Sequence, residues 1–422
     1  MKQLIYQLRK SSLMRDSFWA LLGNVLGKGL ALVAGIAVAR FLGSEEYGEY
    51  GMIRNNLTMI AIFSSLGLGY TATKFIAECK GNKEQAYLIH KVVSRITWVT
   101  SGIIMVLVAA IADPLATWLD APHLGRLLMF AAIAVVLNAM NTTQIGELSG
   151  FNAYKEIAFN NTWAGIVTFV VSVGLTFFYG IEGAVIALII SFAANCLLNW
   201  FSIKKYLPRQ KVINGNNNYK KILSFTFPVA LQESSYSITH WLSTILLIKL
   251  AGYGELGLYS AAAQWMGVML FIPAALRNVA LSHLAGKNDD MSANKQILKC
   301  MTLINLITTL VPFVVIAMLS EWICSWYGKS YEGMQSVLNV CMLTTVINSI
   351  TNVFTQNLIA MNQNWYLFWT RLMRDLITIG VATLLIIYFE RGALMYAIAC
   401  LCFQFLYMIL LTYKQKAIYR NM

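Results

Sequence analysis

Residues 39–51 read ARFLGSEEYGEYG, and residues 250–260 read LAGYGELGLYS. Gly43, Glu46, Gly48 and Tyr50 of the first stretch match Gly252, Glu255, Gly257 and Tyr259 of the second, each pair 209 positions apart. The chain has 422 residues, so the spacing is about half its length. A motif that returns at half-length marks a duplicated architecture. Other pairs keep the offset. Gly183-Ala184 and Gly392-Ala393 lie 209 apart, while Asn138 and Asn348, like Asn152 and Asn362, lie 210 apart.

The surroundings of the repeat set the fold class. The chain is 58% hydrophobic and 12% charged, with a mean hydropathy of +0.61. A soluble domain of that composition would expose too much apolar surface. About 20 apolar residues at about 1.5 Å each cross a bilayer core of about 30 Å. Twelve such segments can be marked, at roughly 17–39, 52–72, 92–112, 123–148, 159–179, 183–203, 222–248, 256–282, 297–319, 333–360, 366–389 and 392–413. The expectation is an all-α integral membrane protein of about twelve transmembrane helices in two six-helix lobes. These are an N-terminal lobe (1–203), a polar, basic cytoplasmic linker (204–221) and a C-terminal lobe (222–422). Six spans return the chain to its starting side, so the lobes point the same way.

The net charge of +13 is distributed by side rather than gathered for nucleic acid. With a cytoplasmic N-terminus, 24 Lys/Arg fall on inner loops, tails and helix ends against five outside. This asymmetry obeys the positive-inside rule and puts both termini in the cytoplasm. Residues 40–51 then form the first outer turn, where Gly43 and Gly48 allow a tight reversal and Tyr47 and Tyr50 suit the membrane–water interface. The seven cysteines show no CxxC spacing, and neither a disulfide framework nor a metal site follows. Ala37-Val38-Ala39 looks like a cleavage site, but Lys28 interrupts the apolar run before it, and the first segment is read as retained. No P-loop or nucleophile motif is present, so no cofactor and no enzymatic chemistry are expected.

Polar residues inside apolar segments are the functional candidates, since a charge near the bilayer centre costs about 2.5–3.5 kcal/mol on insertion scales. Lys28 shares a face of the first segment with Asn24 and Gly35; Arg54 and Arg277 lie in the second and eighth. Long basic side chains can also snorkel to an interface. Glu233, Ser237, His240 and Thr244 form one stripe of the seventh segment, either a proton relay or a seam between helices. Pro228 opens that segment, and Pro273 and Pro312 interrupt the next two. Asn138 and Asn141 in the fourth segment, and Asn348, Asn352 and Gln356 in the tenth, can meet sugar hydroxyls, line water or join helices. Arg371, Arg374 and Asp375 share an inner face of the eleventh, where Asp375 can neutralise an arginine.

ARFLGSEEYGEYG, GLGYTATKFIAE (67–78), ELSGFNAYKEIAFNN (147–161), GIEGAVIAL (180–188) and SFTFPVALQ (224–232) carry a family resemblance across nearly the whole chain. It resembles the Wzx-type polysaccharide (O-antigen) repeat-unit flippases, whose superfamily also holds multidrug/toxic-compound extrusion (MATE) antiporters. The resemblance implies a MATE-like fold in the bacterial inner membrane. It implies a partner too: an oligosaccharide on undecaprenyl pyrophosphate, moved from the cytoplasmic to the periplasmic leaflet. A polysaccharide polymerase and a chain-length regulator are further implied partners; nucleic acid is not. Lys28, Arg54 and Arg277 fit the cationic cavity implied for the pyrophosphate, with Asn24 and the amides of the fourth and tenth segments near the sugars; Glu233 and His240 are the ion-coupling candidates, and Arg371, Arg374 and Asp375 an inner-gate cluster. A cation-driven drug antiporter should carry acidic cavity residues instead, and a membrane glycosyl polymerase needs a large outer loop that this chain lacks.

Overall fold

The computed structural model describes residues 12–421 except 66, 80–81, 208–218, 272, 274–290, 362 and 390; the side chains of 12–26, 28, 62, 219–236, 291–294, 360, 364 and 421 are also outside the description. Among the described residues all regular structure is helical. Three helices are too long to be single spans. These are α1 (Ser12–Ser65, 54 residues), and α7 (Tyr154–Lys204) and α8 (Tyr219–Met269), each 51 residues. A straight helix of that length would run about 77 Å, more than twice a bilayer core. Each is broken by one glycine outside helical space: Gly43 (φ 75°, ψ 177°), Gly180 (φ 56°, ψ −136°) and Gly252 (φ 85°, ψ 176°). Each of these helices therefore carries two of the twelve apolar segments. Among the described residues, seven helices qualify as spans by length and hydropathy alone, or eight if the bent pair Gly29–Ser65 and Leu68–Glu78 counts as one. The protein is a multi-span membrane protein, and twelve segments are consistent with these helices.

Two compact units make up the chain: Met1–Ala34 with Tyr50–Trp241, and Gly35–Glu49 with Leu242–Met422. In the first, α2 (Leu68–Glu78) starts after Gly67, and α3 (Lys83–Ala110) starts where the Asn82 side chain accepts the N–H groups of Glu84 (3.1 Å) and Gln85 (3.2 Å). That caps two of the four donors a helix start leaves open. Short helices α4 (Ala112–Trp118) and α5 (Gly125–Ala131) lead into α6 (Ile133–Gly150). Leu68, Ala72 and Phe75 of α2 close a core with Val92 and Val93 of α3. α6 presses on α2 so closely that a Cβ on Gly146 would lie 2.1 Å from the Gly69 carbonyl oxygen, and Thr73 Oγ1 donates to the Gly146 carbonyl at 2.9 Å. On α3, Ile103, Val106 and Leu107 stay exposed, an apolar strip suited to acyl chains.

The second unit comprises the tip of α1, α8 from Leu242, α9 (Met291–Met318), α10 (Ser320–Ser325), a 3-10 turn (Lys329–Tyr331), α11 (Met334–Ala360), α12 (Asn364–Phe389) and α13 (Gly392–Asn421). α9 runs on through Pro312. Its core of Leu358, Leu367, Tyr407 and Leu411 mirrors a first-unit core of Leu148, Ala153, Ile157 and Ile203. Leu148/Leu358 and Ile157/Leu367 are each 210 apart, so the duplication reaches the packed interior.

The opening motif finds its reason within this second unit. A Cβ on Gly48 would meet the Tyr253 carbonyl oxygen at 1.9 Å, and one on Gly257 would meet that of Ser44 at 1.9 Å. Gly257 is Gly48 plus 209, and Tyr253 is Ser44 plus 209. The two turns thus cross reciprocally, each placing its glycine against the other's carbonyl. Tyr47, expected at the water interface, is buried here; Gln264 Nε2 donates to its hydroxyl. Tyr331 Oη donates to the carbonyls of Ala39 (3.1 Å) and Gly43 (3.2 Å), tying the break in α1 to the 3-10 turn.

Candidate functional site

Of the three candidate cations, Arg54 is described. It is half-buried about three turns into the post-glycine stretch of α1, where its guanidinium donates to the Tyr50 hydroxyl and its carbonyl accepts Thr58 Oγ1 at 2.8 Å. The side chains of Asn24 and Lys28 lie outside the described residues, although both sit on the helical backbone of α1; Arg277 lies outside them altogether. The side chain of Glu233 is also outside the description. Seven residues on in α8, His240 is exposed, flanked by buried Thr239 and by Ser237 and Thr244, also buried. Nearby, Trp241 Nε1 donates to Asn56 Oδ1, and Trp118 stacks on Trp241 at 6.4 Å.

The amides divide by partner. Asn141 is buried and accepts from Asn199 Nδ2 at 2.8 Å; Asn199 in turn accepts from Asn160 Nδ2 at 2.8 Å, and Asn160 donates to Ser202 Oγ at 3.0 Å. This chain of amides fastens α6 to α7 and joins the halves of the α7 hairpin. Asn138 is half-buried a turn away, with its carbonyl taking Thr142 Oγ1 at 2.9 Å. In the second unit Asn348 Oδ1 accepts from Gln404 Nε2 at 3.3 Å, fastening α11 to α13. Asn352 is half-buried and Gln356 buried on the same face of α11.

The charge cluster of α12 is assembled by one arginine. Arg374 donates through Nε (2.9 Å) and Nη2 (2.5 Å) to Asp375 Oδ1, through Nη1 to Gln404 Oε1 at 2.7 Å, and lies 4.8 Å over the Tyr407 ring. Asp375 therefore neutralises Arg374, and Arg371 lies exposed a turn earlier. Such a network fixes α12 on α13, because a half-buried guanidinium is stable only with its donors engaged.

Sequence reasoning did not pair the most buried charge among the described residues. Glu147 of α6 is 0% exposed, and both its oxygens lie 2.9 Å from His90 Nδ1 of α3. The pair is 57 residues apart, so no helical periodicity could have joined the two residues. Seven residues on from His90, Thr97 Oγ1 meets Thr143 Oγ1 at 3.1 Å and repeats the link between the same helices. Among the described residues no group of three or more His, Cys, Asp or Glu is placed to hold a metal.

Residues 13–277 match the family profile described as "Polysaccharide biosynthesis protein". The chain is 22% identical over 373 residues to the succinoglycan biosynthesis transport protein ExoT of Rhizobium meliloti, covering 87% of this chain and 73% of that one. It is 21% identical over 356 residues to a provisional O-antigen transporter of Shigella flexneri, covering 81% and 83%. Its fold matches a multidrug resistance MATE-family transporter of the MOP superfamily in an inward-facing conformation, with a TM-score of 0.77 and 16% identity over 93% of this chain and 94% of that one. The expected MATE-like, all-helical fold is thereby borne out.

Proposed function

The chain belongs to the polysaccharide biosynthesis protein family, and on that premise we propose that it is a flippase for an oligosaccharide carried on undecaprenyl pyrophosphate. The lipid moves from the cytoplasmic to the periplasmic leaflet of the inner membrane by alternating access, with both termini cytoplasmic. The observation that carries this reading is the pairing of a polysaccharide family match with a transporter fold spanning 93% of the chain. The chemistry fits. A diphosphate entering a low-dielectric interior needs cations, since pairing there is far stronger than in water. Lys28, Arg54 and Arg277 are our candidates for that role, with Asn24, Asn138, Asn141, Asn348, Asn352 and Gln356 as candidates to meet sugars directly or through water. Arg371, Arg374 and Asp375 would steady the inner end of the second unit. Glu233 and His240 remain candidates for ion coupling. A polymerase and a chain-length regulator would act on the product.

The test is export of surface polysaccharide in a strain lacking the gene. The wild-type protein restores it. Lys28→Ala with Arg54→Ala is expected to insert normally and to leave export strongly reduced, with lipid-linked oligosaccharide accumulating. Full export by that double variant would contradict the cationic cavity. Restored drug resistance without any effect on polysaccharide would favour a multidrug antiporter.

A further inference from the structure

We propose that His90 and Glu147 form a proton-binding site in the first unit, and that its loading and unloading couple proton movement to transport. The inference rests on the transport reading above for its coupling, though not for the site itself. The geometry is specific. Glu147 is sealed at 0% exposure while the His90 side chain is 22% exposed, so one end of the pair is closed and the other reaches the surface. His90 sits seven residues into α3 and Glu147 three residues before the end of α6, about 10 Å or less from the inner loops in the proposed orientation. A proton thus has a short path from the cytoplasm.

The proton balance follows from which nitrogen faces the acid. Nδ1 lies 2.9 Å from both carboxylate oxygens and keeps its hydrogen to donate to them. The exchangeable proton is then the one on Nε2. When the Nε2–H bond breaks, its electron pair stays on nitrogen and the proton passes to water. The pair changes from neutral (imidazolium with carboxylate) to one net negative charge. A buried net charge is unfavourable, so the two states differ in how firmly α3 is held on α6.

The surroundings leave this pair in control. Glu147 is the charged group acting on the His90 ring. α2 brings Lys74 and Glu78, both exposed, and α3 itself brings Lys83, Glu84, Lys91 and Arg95, also exposed. From the start of α7 come Tyr154 and Glu156, half-buried, and exposed Lys155. Ser94 Oγ lies 3.4 Å from Nδ1. Gln144, three residues before Glu147 on the same side of α6, is buried with its Oε1 lacking a hydrogen-bond partner. Because α6 is also clamped to α2 at Gly146 and to α7 through Asn141, a change at Glu147 is delivered to three helices. Such a two-state element is what coupling requires.

The experiment has two arms, both on the full-length protein. In lipid nanodiscs, a variant with His123, His240 and His283 replaced by Gln keeps His90 as its one histidine. Infrared titration from pH 9 to 5 should show one imidazole protonation, absent after H90Q and displaced after E147Q. A titration unaffected by E147Q, or none at all, overturns the site. In the deletion strain, H90Q and E147Q should reach wild-type membrane levels yet export about tenfold less polysaccharide, within the range of ordinary coupling energies. His90→Arg separates coupling from architecture. A structural ion pair tolerates a fixed cation, whereas a proton-exchange site does not, so H90R should fold and fail to export. Wild-type export by H90R, with unchanged sensitivity to a protonophore, overturns the coupling. Failure of the wild-type gene to restore export would defeat the flippase reading instead, and the coupling with it, leaving the nanodisc titration to decide the site.

Discussion

The turns at 39–51 and 250–260 share a backbone and differ in their fastenings. Gly43 and Gly252 adopt nearly the same conformation, with φ 75° and 85° and ψ 177° and 176°. Gly48 and Gly257 make the same contact in exchange, each 1.9 Å from the other turn's carbonyl once a Cβ is added. The remaining groups diverge. Glu255 reaches the start of α13, where Oε2 accepts the Ala393 N–H at 2.5 Å, whereas Glu46, its counterpart, is exposed. The first turn is held instead by the Tyr331 hydroxyl on Ala39 and Gly43. Where backbone geometry dictates the residue, the two turns make the same contacts; where only a side-chain partner holds it, as at Glu46 and Glu255, the residue is kept but the partner differs.

The largest effect should come from the crossing. Gly48→Val and Gly257→Val each force two backbones apart and should destabilise the detergent-solubilised protein by about 3 kcal/mol or more. Their alanine versions should cost less, with a double variant milder than the sum, because one separation relieves both contacts. Additive melting shifts would break the reciprocity. Gly43→Ala and Gly252→Ala come next, at about 1–3 kcal/mol each, since that backbone region is nearly closed to side chains. A clear inequality between them would show that the breaks are not equivalent. Glu255→Ala should cost about 1 kcal/mol for the lost helix-start acceptor, against about 0.5 kcal/mol or less for Glu46→Ala. Tyr331→Phe should cost about 1 kcal/mol, through its hydroxyl alone. Last, Ser44→Cys should react with an impermeant thiol reagent from the periplasmic side. Burial pushes the native Cys324 thiol up to about 11, so its background is low near neutral pH; labelling only from the cytoplasm would reverse the proposed topology.

Much of this was written in the sequence, for physical reasons. Hydropathy marked the apolar segments because lipid leaves a helix no other way to satisfy its backbone. The glycine offset marked the duplication because only glycine fits at 43, 48, 252 and 257. Asp375 beside Arg374 was legible because neighbours in sequence are neighbours in space. His90 with Glu147 was not legible, nor was Tyr331 with Ala39, 292 residues away, because pairings between distant segments depend on how helices rotate against each other. Neither could hydropathy reveal that Gly35–Glu49 belongs with the second unit, since local polarity carries no record of the partner.

The central claim is that this duplicated helical fold carries a diphosphate-linked oligosaccharide across a bilayer. The direct measurement uses liposomes with lipid-linked oligosaccharide in both leaflets and an impermeant periodate reagent outside. With the purified protein present, oxidation should run past the outer-leaflet half toward completion, and Lys28→Ala with Arg54→Ala should stop it near half. Oxidation that halts at half with the wild-type protein, under every ion gradient applied, would contradict the account.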